Sequence, residues 1–165
     1  MTGEKCRRHP RRAVSPRTLY SRLALAEMVT WTLLILGMIG KYGFGLDWAT
    51  SIGGGIHGFV FLCYAVTTVA VWIDKKWPAG TGVLGVASAV IPYATYPFER
   101  WVDRRGLLEG PWRLGPDGEP ARSLPEKVFA FALRSPVLAA LVTLVLVAIV
   151  FSLLLLAGPP TEWFA

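Results

Sequence analysis

Two ionisable side chains lie inside apolar sequence, where neither is at home without a reason: Glu27, between Ala26 and Met28, and His57, between Ile56 and Gly58. A carboxylate beside an imidazole can share a proton near neutral pH, clamp two helices together, or supply two ligands to a metal or a haem. As a metal or haem site the pair is under-liganded, because the other histidine, His9, lies in a basic tail. A hydrogen-bonded clamp without turnover is the simplest reading. A proton-sensitive pair is the sharper one.

Four apolar runs position these residues: Thr18 to Gly40, Trp48 to Ile73, Ala79 to Phe98 and Ser135 to Ala157. Crossing about 30 Å of hydrocarbon takes roughly 20 apolar residues, so each run is read as a membrane span. Short connections at Tyr42 to Asp47 and at Asp74 to Pro78 make consecutive spans antiparallel neighbours. Glu27 lies roughly 12 to 14 Å into the first helix, and His57 a similar distance into the second from the opposite side. The two therefore meet within about one helical turn.

Composition agrees with a membrane protein. Of 165 residues, 53% are hydrophobic and only 17% charged, below the quarter usual in soluble domains. The net charge of +6 sits beside the apolar runs rather than on a polar surface, which argues against nucleic acid. Lys5, Arg7, Arg8, Arg11, Arg12 and Arg17 crowd the tail, where anionic lipid headgroups would attract them. Cys6 and Cys63 fall in unrelated contexts and imply no disulfide. The first run is too long for a signal peptide, carries Glu27, and is followed by no Ala-x-Ala-like site near Gly37 to Phe44, so it is read as retained.

Gly54 and Gly58 share a helix face at the spacing that lets backbones approach, and Gly82 and Gly85 offer a matching stripe. The glycine run lacks the Lys and Ser or Thr of a phosphate loop. Gly58 is expected to pack on helix one or helix three. Tyr93 is expected to reach the level of Glu27 and His57, while Tyr42, Trp48, Trp72, Trp77, Trp101 and Tyr96 fit interfacial belts. No serine or cysteine has the surroundings of a nucleophile. The chain is therefore not read as an enzyme, and no cofactor is assigned.

Glu99 to Arg134 differs from the rest, with seven Lys or Arg, six Asp or Glu, and turn signals at Gly110-Pro111 and Gly115 to Gly118. Within it, Ser123-Leu124-Pro125-Glu126 followed by Lys127 to Arg134 reads either as a short capped interfacial helix or as an ordinary entry turn into the fourth span. The basic residues divide eight against eight between the two faces of a four-span layout, so orientation rests on the tail, which carries few acids. That places the N-terminus and the Asp74 to Pro78 turn in the cytoplasm, with the polar loop outside.

The segments Leu25 to Trp31, Gly37-Met38 with Lys41-Tyr42, Ile56-His57-Gly58 and Phe98-Glu99-Arg100-Trp101 resemble a family of small actinobacterial integral membrane proteins of unknown function with a His-Gly motif. The resemblance covers about residues 16–106. It implies a membrane-embedded core and draws attention to Glu27, His57, Gly58, Glu99 and Arg100 without giving them roles.

The expected architecture is all-α and polytopic. A basic tail over 1–16 leads to a three-helix core bundle over 17–106, followed by a polar loop over 107–134, a fourth transmembrane helix over 135–157, and a short tail over 158–165. The expected function is that of a non-catalytic accessory or interaction protein of a bacterial plasma membrane, with a membrane-protein partner. The competing class is a small proton-coupled transporter or channel using Glu27 and His57, and a membrane-embedded enzyme ranks third. Inverted repeats and broken helices at the midplane, which would favour a transporter, are not evident in the sequence.

Overall fold

The computed structural model describes residues 14–115 and 118–157. The tail with Cys6 and His9, the middle of the Gly115 to Gly118 turn and the residues after Ala157 lie outside this description. Six helices follow in order: α1 Pro16–Phe44, α2 Asp47–Lys75, α3 Ala79–Ser88, α4 Thr95–Arg104, α5 Leu124–Arg134 and α6 Pro136–Ala157. Among the described residues there is no strand.

Helix α1 starts where its caps dictate. Ser15 is extended, its Oγ accepts from the Thr18 N–H at 3.2 Å, and Pro16 opens the first turn, where a missing N–H costs nothing. It runs beyond the expected stop at Gly40-Lys41 as far as Phe44. The stop falls at Gly45, whose φ of 71° is the left-handed conformation that ends a helix, with its N–H on the Lys41 carbonyl at 3.0 Å. Only Gly45 and Leu46 separate α1 from α2, so the two 29-residue helices pack as an antiparallel pair.

That pairing uses glycines other than those expected. A Cβ on Gly37 would lie 2.7 Å from the Ala49 carbonyl oxygen, and one on Gly53 2.9 Å from that of Leu33. Backbone meets backbone at both places. Gly58 faces Phe151 of α6 at 3.1 Å by the same construction, neither helix one nor helix three, and Gly54 meets only the Leu34 side chain at 3.7 Å. Gly82 lies against the Trp72 indole, and Gly85 against Thr68 and Phe98.

The third apolar run is not one helix, which corrects the expected three-helix core. Helix α3 stops at Ser88, and the N–H groups of Ala89, Val90 and Ile91 turn back to the carbonyls of Val86, Ala87 and Ser88 at 3.2, 3.1 and 3.4 Å. Pro92 then has no N–H to give and disfavours helix at Ile91, and Tyr93 takes φ 64°. The chain reverses there.

Helix α4 consequently retraces α1 in the opposite direction. Tyr93 reaches Thr32 rather than Glu27 or His57 (hydroxyl to hydroxyl 3.3 Å), the Thr95 hydroxyl donates to the Ala24 carbonyl at 3.2 Å, the Ser21 hydroxyl donates to Glu99, and Arg17 pairs with Asp103 at 2.7 Å. Because α3 leaves from the same end, α3 and α4 form a hairpin whose tip lies about halfway along α1. The expected placement of the polar loop opposite the N-terminus is thereby overturned. Trp77 Nε1 donates to the Leu107 carbonyl at 3.0 Å, and Lys75 Nζ donates to those of Glu109 and Pro111 at 2.9 and 2.7 Å. Loop, α2 C-terminus and α1 N-terminus share one end of the bundle.

The main apolar cluster also sits at that end. Tyr20, Tyr64, Val71, Trp77, Val102 and Leu108 are buried together, so Trp77 is a core residue and not a belt residue. Tyr42 and Trp48, at the other end, are exposed. Helix α5 carries the expected capping box, in which Ser123 and Glu126 exchange hydrogen bonds. After a break at Ser135, α6 lies antiparallel to α2: Phe151 covers Gly55 and Gly58, while Val147 and Thr143 lie beside Leu62 and Val66.

Candidate functional site

The interior between α1 and α2 carries a polar centre. Glu27 is fully buried and His57 is 8% exposed, with Glu27 Oε2 3.6 Å from His57 Nδ1. The Thr30 hydroxyl lies between them, 3.2 Å from His57 Nδ1, 3.4 Å from Glu27 Oε2 and 3.0 Å from the Glu27 carbonyl. Residues three and four apart share a helix face, which brings Glu27, Thr30 and Trp31 to one patch. The Trp31 ring packs on the His57 ring at 4.4 Å between centroids. Two buried atoms of this patch lack a partner, Glu27 Oε1 and Trp31 Nε1.

A second tier lies one to two turns nearer the loop end. The Tyr20 and Tyr64 hydroxyls are 2.8 Å apart with their rings stacked at 5.4 Å, and the Tyr64 hydroxyl is 3.1 Å from Ser88 Oγ. The Thr68 hydroxyl donates to the Tyr64 carbonyl at 2.8 Å and to the Tyr20 hydroxyl at 3.4 Å. Neither Tyr20, Tyr64 nor Thr68 was singled out from the sequence. The signal was present: 20, 24, 27, 31 on α1 and 57, 61, 64, 68 on α2 both keep the 3.6-residue period of one face. Beyond this tier come Ser21 with Glu99, then Arg17 with Asp103. Arg100 points outward over the Tyr96 ring at 6.0 Å.

The end of α2 is latched by the loop. Asp74 is fully buried and accepts from the backbone N–H of Arg113 at 3.1 Å and of Leu114 at 3.0 Å. The Arg113 guanidinium caps the Asp74 and Ile73 carbonyls at 2.5 and 3.1 Å and pairs with Glu126 at 2.7 Å and Glu119 at 3.2 Å. Bonds from the Arg122 N–H, the Arg113 guanidinium and the Ser123 N–H hold the Glu126 carboxyl at about 2, below its ordinary 4.5. Glu119 is also lowered, chiefly by Arg113.

Among the described residues no three His, Cys, Asp or Glu side chains converge on one point. What the arrangement can do is hold a proton between Glu27 and His57, and relay protons among hydroxyls.

Helices α1 and α2 are each long and apolar enough to cross a membrane, with an apolar exterior around a polar row, the pattern of a helical membrane protein. The chain belongs to the family described as a domain of unknown function (DUF3817), which matches residues 17–104. It is similar to SCO5905 of Streptomyces coelicolor, named as a membrane protein, with 36% identity over 97 residues. That match covers 56% of this chain and 11% of the relative, so the chain spans about one ninth of that protein. It is also similar to the uncharacterised membrane protein YdzA of Bacillus subtilis, 31% identical over 68 residues, covering 41% of this chain and 71% of the relative. No solved structure matches.

Proposed function

We propose that this chain is a polytopic protein of a bacterial plasma membrane, crossing through α1, α2 and α6 and dipping halfway in with the α3–α4 hairpin, and that it serves as a non-catalytic accessory protein to a membrane partner. The observation that carries the accessory role is the match to SCO5905, in which a unit like this one forms a small part of a much longer membrane chain. Orientation follows from charge. With the hairpin returning, eleven of the twelve described Lys and Arg residues fall at the loop end and Lys41 alone at the other. The positive-inside rule then puts the loop end in the cytoplasm.

Purification from native membranes in mild detergent tests the role. A membrane protein co-purifying at fixed stoichiometry is the expected result. A chain that purifies alone and moves protons across liposomes is instead the proton-coupled transporter, a reading favoured by one observation: the break between α3 and α4 falls at about the level along α1 of the buried ionisable pair.

A further inference from the structure

From the exposed Arg17 at the loop end a row of polar side chains runs into the bundle to mid-depth, past which α1 and α2 close on each other. Starting at that end, Arg17 with Asp103, Ser21 with Glu99, and Tyr20 with Tyr64, Thr68 and Ser88 lead toward Glu27, Thr30 and His57. Past His57 the bundle is closed by backbone. The tight approaches at Gly37 and Gly53 leave no width between α1 and α2, and Thr50, whose hydroxyl donates to the Gly37 carbonyl at 2.9 Å, is committed there. On the α6 side the Phe151 ring covers Gly55 and Gly58.

We infer that the Glu27–His57 pair is a proton-binding site served only from the loop end of the bundle, with the Tyr20 and Tyr64 hydroxyls as relays, so that it registers pH on one side of the membrane and passes no proton across. This rests on the membrane-spanning reading above.

The titratable groups facing the pair are few. Helix α1 offers Tyr20, and α2 offers Tyr64 and the half-buried Cys63, while Asp74 is committed to the loop. Helix α4 contributes Glu99 and Asp103, and α3 and α6 contain no ionisable residue. A proton from the water phase at the loop end passes from oxygen to oxygen, each hydroxyl accepting one proton and releasing its own. It comes to rest on Glu27 or His57. The pair gains one positive charge and the water phase at that end loses one. From Tyr20 to Glu27 is seven residues, about 10 Å along α1, so the relay requires water between the two tiers, for which Glu27 Oε1, buried without a protein partner, offers an acceptor.

The test uses the full chain in liposomes whose sidedness is first established by cysteine labelling, so that failure of the membrane reading is seen before any pH step. The pH is stepped over about 4 to 9 on one face at a time, the span in which carboxylate and imidazole titrate. Readouts are the emission difference between the wild-type chain and W31F, the infrared carboxyl difference between the wild-type chain and E27Q, and a pH dye trapped in the lumen. The expected result is a response to steps at the loop end, none to steps at the other, and luminal pH drifting no faster than in empty liposomes. E27Q should abolish the infrared signal. Y64F, which keeps the ring and loses the relay oxygen, should retain its amplitude but slow it by about tenfold. A response from the opposite face, proton flux above that of empty liposomes, no titration over the range, or an unchanged rate in Y64F overturns the inference.

Discussion

Glu27 is tolerated inside the bundle because the Thr30 hydroxyl reaches one of its oxygens and the His57 ring lies beside the same oxygen at 3.6 Å, and removing a neighbour leaves a buried polar group exposed to nothing. E27A and H57A should each cost about 1 to 3 kcal/mol of stability in detergent, and the double variant less than their sum, since the second loss no longer strands a partner. Additive costs would mean the two do not act as a pair. At the start of α5, Glu126 makes a pH prediction. Its folded value of about 2 is below its ordinary 4.5, so its contribution is complete above about 4.5 and is lost as pH falls through about 2. Hydrogen exchange at Arg113 and Leu114 should therefore accelerate over that window, and E126Q should flatten the dependence.

At the scale of helices, which glycine matters depends on what it meets. Gly53 meets the Leu33 carbonyl, which cannot move without the helix, whereas Gly58 meets the end of the Phe151 side chain, which can rotate. G53L should separate α1 from α2 and lower thermal stability by more than the roughly 1 to 3 kcal/mol typical of overpacking, while G58L should displace only α6 at a cost within that range. Unfolding scans of both variants in one detergent give the order. An equal or reversed order would mean that α6, not the α1–α2 contact, holds the bundle together.

For the whole molecule the decisive feature is the return of α4, which brings the N-terminus, the α2–α3 turn and the polar loop to one end. In a background with Cys6 and Cys63 removed, single cysteines at Lys76 and Gly110 should both resist an impermeant reagent in intact cells, and one at Gly43 should react. Reaction at Gly110 with protection at Lys76 would restore a third full span. The same geometry explains why counting charges along the sequence left orientation undecided. With the loop on the wrong side the basic residues cancelled, and with it restored nearly all described ones fall together.

Sequence alone was sufficient for everything that follows from local chemistry and period. Apolar runs of spanning length placed α1, α2 and α6; the Ser123 to Glu126 box placed a helix start; and two antiparallel neighbours with a short turn placed Glu27 against His57. Family membership was also legible in short motifs. Tertiary structure decided what depends on three-dimensional context. Ala79 to Phe98 is apolar throughout, so hydropathy reads one span; only the reversal at Pro92 and Tyr93, held by contacts from α4 to Arg17, Ser21, Ala24 and Thr32, makes it a hairpin. The same holds for the glycines, since close approach depends on where two helix axes cross, and for Tyr20 and Tyr64, whose hydroxyls become a relay only because α1 and α2 bring them within 2.8 Å.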